Sequence, residues 1–174
     1  MRLFVAINLG NDTRSRLASI RDELRKDSKR GNFTREENIH LTLAFIGECT
    51  ETQAAAVKAA MFETKFELFV MTIDHIGNFH RYGDGCTWWA GIRNCKPLED
   101  MQHDLTKRII AKNINVDDRR YTPHITFGRD VVTKKEPRKI DPIAETVSAI
   151  DLMVSERIDG KLTYTSIYRK RAGE

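Results

Sequence analysis

Apolar and polar residues alternate, or recur at three- and four-residue intervals, in stretches that predict an α+β fold. Short apolar or alternating runs indicate strands, and the wider spacing indicates amphipathic helices. The predicted strands span residues 2–8, 37–48, 66–76, 86–92, 121–129, 146–157 and 162–170. The predicted helices run from Asn11 or Asp12 to about Arg30, over 51–61, and from Pro97 to about Asn113.

The segments between these elements carry residues that end helices and form turns. Gly31 and Asn32 are expected to end the first helix. Residues 77–85 are rich in glycine and aromatic side chains and predict a loop. Residues 134–139 predict a charged surface connection, and Asp159-Gly160 predicts the turn of a closing hairpin.

Two predicted strands share the pattern His-apolar-Thr-apolar, which begins at His40 and again at His124. Alternate strand residues face the same side, so each His and Thr would share one face while the apolar residues face a core. A single strand histidine is usually just a half-buried residue with a satisfied ring nitrogen. Two copies favour a cleft with one imidazole as general acid, the other as general base, and two hydroxyl donors.

The similarity between the two halves extends beyond these motifs, which lie 84 residues apart. Shifting the chain by that amount aligns residues 4–6 with 88–90 and 67–70 with 151–154, and the first helix falls on the helix after Pro97. We interpret this as a single domain, residues 1–174, made of two α+β lobes related by a pseudo-twofold axis. Chance similarity in an alternating α/β chain is the alternative interpretation.

Composition narrows the protein class without identifying a substrate. The chain has 174 residues, a net charge of +4 and a pI near 9.0, which is compatible with an anionic substrate but does not demonstrate nucleic-acid binding. No apolar run is long enough to cross a membrane and the start lacks secretory-signal features, so we expect a cytoplasmic protein. Three cysteines without a Cys-x-x-Cys motif indicate neither a disulfide framework nor a zinc site, and we expect no metal or cofactor.

The paired motifs and their surroundings resemble the 2H phosphoesterase superfamily. The resemblance lies in residues 2–7, 37–48, 123–129 and 164–168, and covers nearly the whole chain. Within the superfamily, the chain resembles the bacterial and archaeal RNA 2′,3′-cyclic phosphodiesterases, also called 2′-5′ RNA ligases. This resemblance implies a bilobal α+β fold with a cleft between two antiparallel sheets. Residues 78–85 depart from the compact turn often found in that family, which affects the expected substrate preference.

The resemblance also implies a reaction and a set of residues. RNA 2′,3′-cyclic phosphate would be hydrolysed to a 2′-phosphomonoester, with His40 as proton donor and His124 as proton acceptor. Thr42 and Thr126 would hydrogen-bond the phosphate oxygens, and Arg129 would contact the phosphate. The residues themselves do not distinguish the acid from the base, because the repeat is nearly symmetric. The alternative interpretation of Arg129 is an ordinary surface arginine at a strand end.

Aromatic side chains are candidates for holding a base, since every base offers a face for stacking. By analogy with relatives, Phe45 is one candidate, although its odd offset from His40 places it on the core face of a regular strand. Tyr82 is a second candidate, in the predicted loop, and Phe33 and Phe79 are further loop candidates. The partners expected from the resemblance are RNA ends or nucleotides with a 2′,3′-cyclic phosphate.

Two other functions remain open at this level. One is the same chemistry on another substrate, such as a 2′-5′-linked oligonucleotide or a small cyclic nucleotide, or the reverse ligation. The other is an RNA- or nucleotide-binding module that has lost turnover, although nothing in pure binding would require both imidazoles. A monomer without membrane association is expected in each case.

Overall fold

The computed structural model describes residues 1–80 and 83–174, which form three α-helices and nine strands. The helices are α1 (Asn11–Lys26), α2 (Glu51–Glu63) and α3 (Lys96–Ala111). The strands are β1 (Arg2–Asn8), β2 (Ser28–Phe33), β3 (His40–Glu48), β4 (Phe69–His80), β5 (Cys86–Ile92), β6 (His124–Thr133), β7 (Arg138–Val147), β8 (Ala149–Ile158) and β9 (Lys161–Arg171). A short 3-10 turn, Glu36–Asn38, precedes β3.

The strands form two antiparallel sheets, and each sheet contains one of the two histidine strands. The first sheet has the order β3-β1-β8-β9 and the second has the order β2-β6-β5-β4-β7. Neighbouring strands in both sheets run antiparallel. The predicted α+β fold with two antiparallel sheets is therefore confirmed.

The two sheets share a strand order that follows the 84-residue shift. Under this shift β3, β1 and β8 in the first sheet correspond to β6, β5 and β4 in the second, in the same order. Strand β4 belongs to the first half of the chain but pairs with β5 and β7 of the second half. Strand β8 belongs to the second half and pairs with β1 of the first half as well as with β9. That the whole chain is one domain with an internal repeat remains our proposal.

The first helix is shorter than the sequence predicted. It ends at Lys26 and the predicted helical residues after it form β2, which pairs with β6. The Ser28 hydroxyl donates to the Leu24 carbonyl oxygen at 2.6 Å and so satisfies one of the last helical carbonyls. Pairing with a strand about 100 residues away overrides the local helical pattern.

A distant carboxylate takes the place of the predicted N-cap. Residue Gly10 precedes α1, and its backbone N–H donates to Glu145 Oε1 at 2.7 Å. The other carboxylate oxygen accepts from the Thr13 hydroxyl at 2.5 Å. A negative charge at a helix N-terminus is stabilising, so β7 fixes the start of α1 without an Asn11 or Asp12 cap.

Strand β4 extends into the segment that was predicted as a loop. It continues to His80, with Gly77 opposite Trp89 and Phe79 opposite Thr87. Strand β7 was also missed, because its first two residues, 138 and 139, belong to the segment predicted as a charged connection and its pattern is irregular. It pairs along β4 and completes the second sheet. The candidate Tyr82 lies outside the described residues.

One continuous hydrophobic core joins the sheets and helices. Its largest buried side chains include Phe127, Leu3, Ile7, Leu41 and Met61. Both histidine strands contribute alternate apolar residues to it, as the period of two predicted. Among residues 1–80 and 83–174, no helix is long and apolar enough to cross a membrane.

Candidate active site

The two histidine strands meet at one cavity, which contains the chemically reactive residues of both motifs. Residues His40 and Thr42 of β3 line it together with His124 and Thr126 of β6. Arg129 and Phe45 also line this cavity. Together with His40 and Thr42, they line a second, neighbouring cavity as well. The structure thus brings together six of the seven predicted site residues.

A backbone carbonyl orients the His40 ring. Its Nδ1 lies 2.7 Å from the Asn38 carbonyl oxygen, and its Nε2 lies 2.9 Å from the Thr42 hydroxyl. A carbonyl oxygen only accepts, so Nδ1 carries the proton in the neutral ring and Nε2 is left as the working nitrogen. The Asn38 amide is anchored in turn, donating to the Leu162 carbonyl oxygen at 2.9 Å.

The second histidine is held in the same way. Its Nδ1 lies 2.7 Å from the carbonyl oxygen of Thr122, the residue two positions before His124. Both rings therefore use the carbonyl at position i−2 to fix one tautomer, with Nε2 available for proton transfer. Sequence reasoning missed this pairing, because a backbone carbonyl leaves no residue-type signal.

Aromatic side chains surround His40. The ring centroids of Phe4 and Tyr164 lie 5.0 and 5.2 Å from that of His40, and Tyr164 is perpendicular to it. Burial lowers the pKa of His40 below its ordinary value, and the nearby positive charge of Arg129 adds to this, against the opposing effect of the Asn38 carbonyl. In the substrate-free protein, the site therefore favours the neutral form of the His40 ring.

His124 also has two aromatic neighbours. The Phe79 ring centroid lies 5.1 Å away at a near-perpendicular angle, and the Trp89 centroid lies 6.3 Å away. Phe79 was predicted as a loop residue, and Trp89 was not among the site residues predicted from the sequence. Trp89 is on β5, which neighbours β6 in the sheet, and Phe79 is on β4, the next strand along.

A partly buried tyrosine connects the two motifs and was not predicted from the sequence. The Tyr121 hydroxyl donates to the Thr42 carbonyl oxygen at 2.7 Å, across 79 residues of sequence. Burial raises the pKa of this phenol, so it remains a donor at any physiological pH. The bond ties the start of the second motif to the backbone of the first.

Arg129 lies at the junction of the two cavities. Its side chain is exposed, and among the residues described it forms no hydrogen bond or ion pair. Its charge contributes to the lowered pKa of His40, and at Tyr164 it partly offsets the rise in pKa that burial causes. The following residue, Asp130, has φ of 51° and marks an irregularity in the pairing of β6 with β5. The guanidinium thus remains free to meet an anion.

Phe45 does not face the core, contrary to the expectation for a regular strand. Against β1, Thr42 pairs with Ala6 while Ala44 pairs with Val5, so Leu43 is an extra residue in a β-bulge. The bulge reverses the alternation and leaves Phe45 52% exposed in the cavity. The bulged carbonyl of Leu43 accepts from the buried Gln102 side chain at 3.0 Å.

The second cavity adds residues that the sequence did not single out. It is lined by His40, Thr42, Phe45 and Arg129, and also by Arg2, Phe4, Ser155, Glu156, Arg157, Leu162 and Tyr164. The Arg2 guanidinium lies 5.1 Å from the centre of the Phe45 ring, which orients a cation over this aromatic face. These side chains surround the exposed face of Phe45 with positive charge.

No cluster of three or more potential metal ligands occurs within residues 1–80 and 83–174. His75 bonds Asp74, with Nδ1 to Oδ1 at 2.7 Å, and His80 lies at the end of β4, 3.4 Å from the Cys86 sulfur. The groups that converge in the cavity are therefore proton-transfer groups, hydroxyls and a guanidinium.

Two antiparallel sheets that each present a His-x-Thr strand to one shared cavity are the arrangement that the resemblance to the 2H phosphoesterases implied. Comparison with known proteins agrees with this class. A family model described as LigT-like phosphoesterase matches residues 7–88. The first motif lies inside the matched region. The chain is thus identified as a phosphodiesterase similar to the LigT-like phosphoesterases.

Individual relatives extend the similarity over most of the chain. An RNA 2′,3′-cyclic phosphodiesterase of Methanothermobacter thermautotrophicus is 28% identical over 152 residues, which are 86% of this chain and 80% of the relative. A protein of the same name from Thermotoga maritima is 27% identical, over 84% of this chain and 78% of the relative. The crystal structure of apo E. coli LigT is 25% identical and superposes with a TM-score of 0.84, covering 99% of this chain and 98% of that one.

Proposed function

We propose that the protein hydrolyses RNA ends carrying a 2′,3′-cyclic phosphate to 2′-phosphomonoesters by acid–base catalysis without a metal ion. The observation that carries this proposal is the matched pair of oriented imidazoles. His40 and His124 each have Nδ1 held by a carbonyl two residues earlier, and each lines the same cavity. The proposal draws further support from relatives that are named for this substrate.

The proposed reaction is an in-line displacement at phosphorus. Nε2 of His124 accepts a proton from a water molecule as the water oxygen bonds to phosphorus. The bond to the 3′-oxygen breaks, and protonated His40 donates its Nε2 proton to that oxygen. The products are a free 3′-hydroxyl and a 2′-phosphate. Each proton transfer avoids forming an unstable oxonium or alkoxide, which is the contribution of general acid–base catalysis.

The remaining polar groups would stabilise the phosphate during this change. The hydroxyls of Thr42 and Thr126 line the cavity beside the two imidazoles and would donate to non-bridging oxygens. The Arg129 guanidinium, permanently charged and free of protein partners among the described residues, would pair with the same oxygens. Phe45 would stack on the terminal base, since the bulge exposes its ring beside His40.

His40 suits the role of proton donor once substrate is bound. Its pKa is lowered mainly by burial, so its protonated form is a stronger acid than an ordinary imidazolium. A phosphodiester anion in the cavity would favour that protonated form by direct attraction. The reverse ligation uses the same groups in the opposite direction. Tyr82, which lies outside the described residues, a monomeric state and a cytoplasmic location remain predictions.

The test is hydrolysis of a 2′,3′-cyclic mononucleotide and a short RNA with that end, both in excess chelator. We expect turnover of both, with the phosphate retained on the 2′-oxygen. If the chelator abolishes activity and an added divalent cation restores it, the metal-free mechanism is contradicted. Cleavage of a 2′-5′-linked dinucleotide with no action on either cyclic substrate would instead favour the alternative substrate.

The pH dependence of kcat/KM tests the assignment of His40 as the acid. A donor must be protonated in the free enzyme, so kcat/KM should fall as pH rises through the pKa of His40. Burial lowers that pKa, so the decline should begin below the ordinary value of about 6.5. The kcat profile should decline at higher pH, because bound phosphodiester raises the pKa. A kcat/KM that rises steadily from pH 6 to 8 would contradict the assignment of His40 as the acid.

A further inference from the structure

The cavity-facing side of the second sheet continues beyond His124 as a row of aromatic and basic side chains. Across the strands, His124 lies opposite Gly91, Gly91 lies opposite His75, and His75 lies opposite Lys139. Directly opposed residues share a face, so this row crosses β6, β5, β4 and β7 on the side where the catalytic ring projects. It spans three strand spacings, or roughly 14 Å.

Two glycines allow the aromatic rings to lie close to the sheet. A Cβ at Gly77 would collide with the Trp89 ring, and a Cβ at Gly91 would collide with the His75 ring. The rings therefore occupy space that side chains on the opposite strand would fill. The Trp89 centroid lies 5.8 Å from that of His75 and 5.0 Å from that of Phe79. The result is a connected aromatic surface.

Positive charge borders this surface on its outer side. Arg93 donates to Asp74 Oδ2 at 3.0 Å, and His75 occupies the other oxygen of the same carboxylate. That carboxylate offsets Arg93. Lys139 is exposed and, in the part of the chain that the structure describes, forms no ion pair. These four side chains line one small cavity together, and its uncompensated charge is the Lys139 ammonium.

Packing alone does not explain the indole at position 89. Its Nε1 is buried and, within the described residues, has no hydrogen-bond partner. A buried N–H without a partner is unfavourable, and a phenylalanine would avoid the penalty. The indole instead supplies the widest aromatic face available to a side chain, and this face borders His124.

We propose that Phe79, Trp89, His75, Arg93 and Lys139 form a platform that binds the nucleotides preceding the cyclic end of an RNA substrate. One base would stack on the Trp89 ring, a second on the His75 ring, which is perpendicular to it, and a backbone phosphate would pair with Lys139. Aromatic faces beside a cation are how proteins hold single-stranded RNA without reading its sequence. The proposal rests on the proposed function, because it gives the platform an RNA whose end lies between the two histidines.

Lys139→Gln tests the phosphate contact, with Arg138→Gln as its matched control. The neighbouring Arg138 points to the opposite face, where it meets Glu23 of α1 at 3.4 Å. The measured quantity is kcat/KM for a cyclic-ended tetranucleotide divided by that for the cyclic mononucleotide. Lys139→Gln should lower this ratio on the order of fivefold. It should also reduce the slope of log KM for the RNA against the logarithm of salt concentration by about 1. Arg138→Gln should change neither.

His75→Ala tests the stacking contact. The ratio should fall about fivefold or more, in line with the loss of one base–aromatic stack. Thermal unfolding of each variant verifies that the sheet is intact, and a conservative His75→Phe variant should restore the ratio because it keeps an aromatic ring. A His75→Phe variant as impaired as His75→Ala would overturn the stacking role.

The two proposals fail in distinguishable ways. A parent protein that hydrolyses the mononucleotide, with a ratio that Lys139→Gln and His75→Ala leave unchanged, overturns the platform alone. A parent that hydrolyses neither substrate overturns the proposed function. In that case fluorescence anisotropy with the labelled tetranucleotide decides the platform, which stands only if Lys139→Gln weakens binding and Arg138→Gln does not.

Discussion

Replacing His124 with alanine is expected to lower kcat for a 2′,3′-cyclic nucleotide by roughly 10²–10⁴-fold, and replacing His40 should have an effect of the same order. Each change removes one proton-transfer group and leaves the hydroxyls and Arg129 in place. Both rings are partly exposed to the cavity, so alanine leaves no sealed void in the core. His103→Ala is the control, since this histidine is exposed on α3.

A second substrate separates the acid from the base. A phosphodiester with a nitrophenolate leaving group needs no proton on the departing oxygen, because nitrophenolate is stable as an anion. His40→Ala should therefore lose much less activity on this substrate than on the cyclic nucleotide. His124→Ala should be impaired on both, since water must be deprotonated in each case. The opposite pattern would exchange the two assignments, and equal losses everywhere would give neither histidine a specific proton-transfer role.

The paired motif was predictable because it depends only on local periodicity. A strand places alternate residues on one face, so the sequence alone aligns His40 with Thr42 and His124 with Thr126. The repeat then indicated that two such strands would meet. The structure adds the carbonyls of Asn38 and Thr122, which fix the tautomers and were not predictable from residue types.

Phe45 shows where periodicity fails. One extra residue, Leu43, reverses the alternation of β3 at Ala44 and Phe45, and nothing in the local pattern announces it. The bulge is supported from outside the strand, where Gln102 of α3 donates to the Leu43 carbonyl oxygen. An exposed phenylalanine beside His40 is therefore a product of a contact 59 residues away in sequence.

Long-range pairing also explains the other errors. Residues 28–30 look like the end of a helix, but the edge of β6 offers them strand partners. The start of α1 depends on Glu145, which is 135 residues away from Gly10. Tyr121 reaches Thr42 only because the two sheets face each other. Such contacts depend on topology, which local propensity does not encode.

The stability of the sheet that carries His40 depends on a buried carboxylate between β1, β8 and β9. The Asp151 side chain is 2% exposed and accepts from Arg169 Nε at 2.9 Å. It also accepts from the Ser166 hydroxyl at 2.7 Å and from the Asn8 amide at 3.1 Å. Asn8 lies opposite His40 in the sheet. This network joins three strands directly beside the proposed acid.

Arg169→Leu should therefore lower the free energy of unfolding by about 3 kcal/mol, measured by urea denaturation. The change leaves the buried carboxylate of Asp151 with two neutral donors and no counter-charge. The value lies at the low end for a broken buried pair, because the Arg169 side chain is itself 47% exposed and partly screened by solvent. Arg171→Leu, at an exposed position on the same strand, should stay within about 0.5 kcal/mol.

The double variant Asp151→Asn with Arg169→Leu distinguishes a buried charge from lost packing. An amide keeps the shape of the carboxylate but carries no charge, so the penalty for an unpaired buried ion disappears. We expect the double variant to be more stable than Arg169→Leu alone, because breaking one partner costs more than removing both charges. If the losses of unfolding free energy in the single variants Asp151→Asn and Arg169→Leu simply add in the double variant, the two side chains contribute separately. The coupling between β8 and β9 then does not depend on charge.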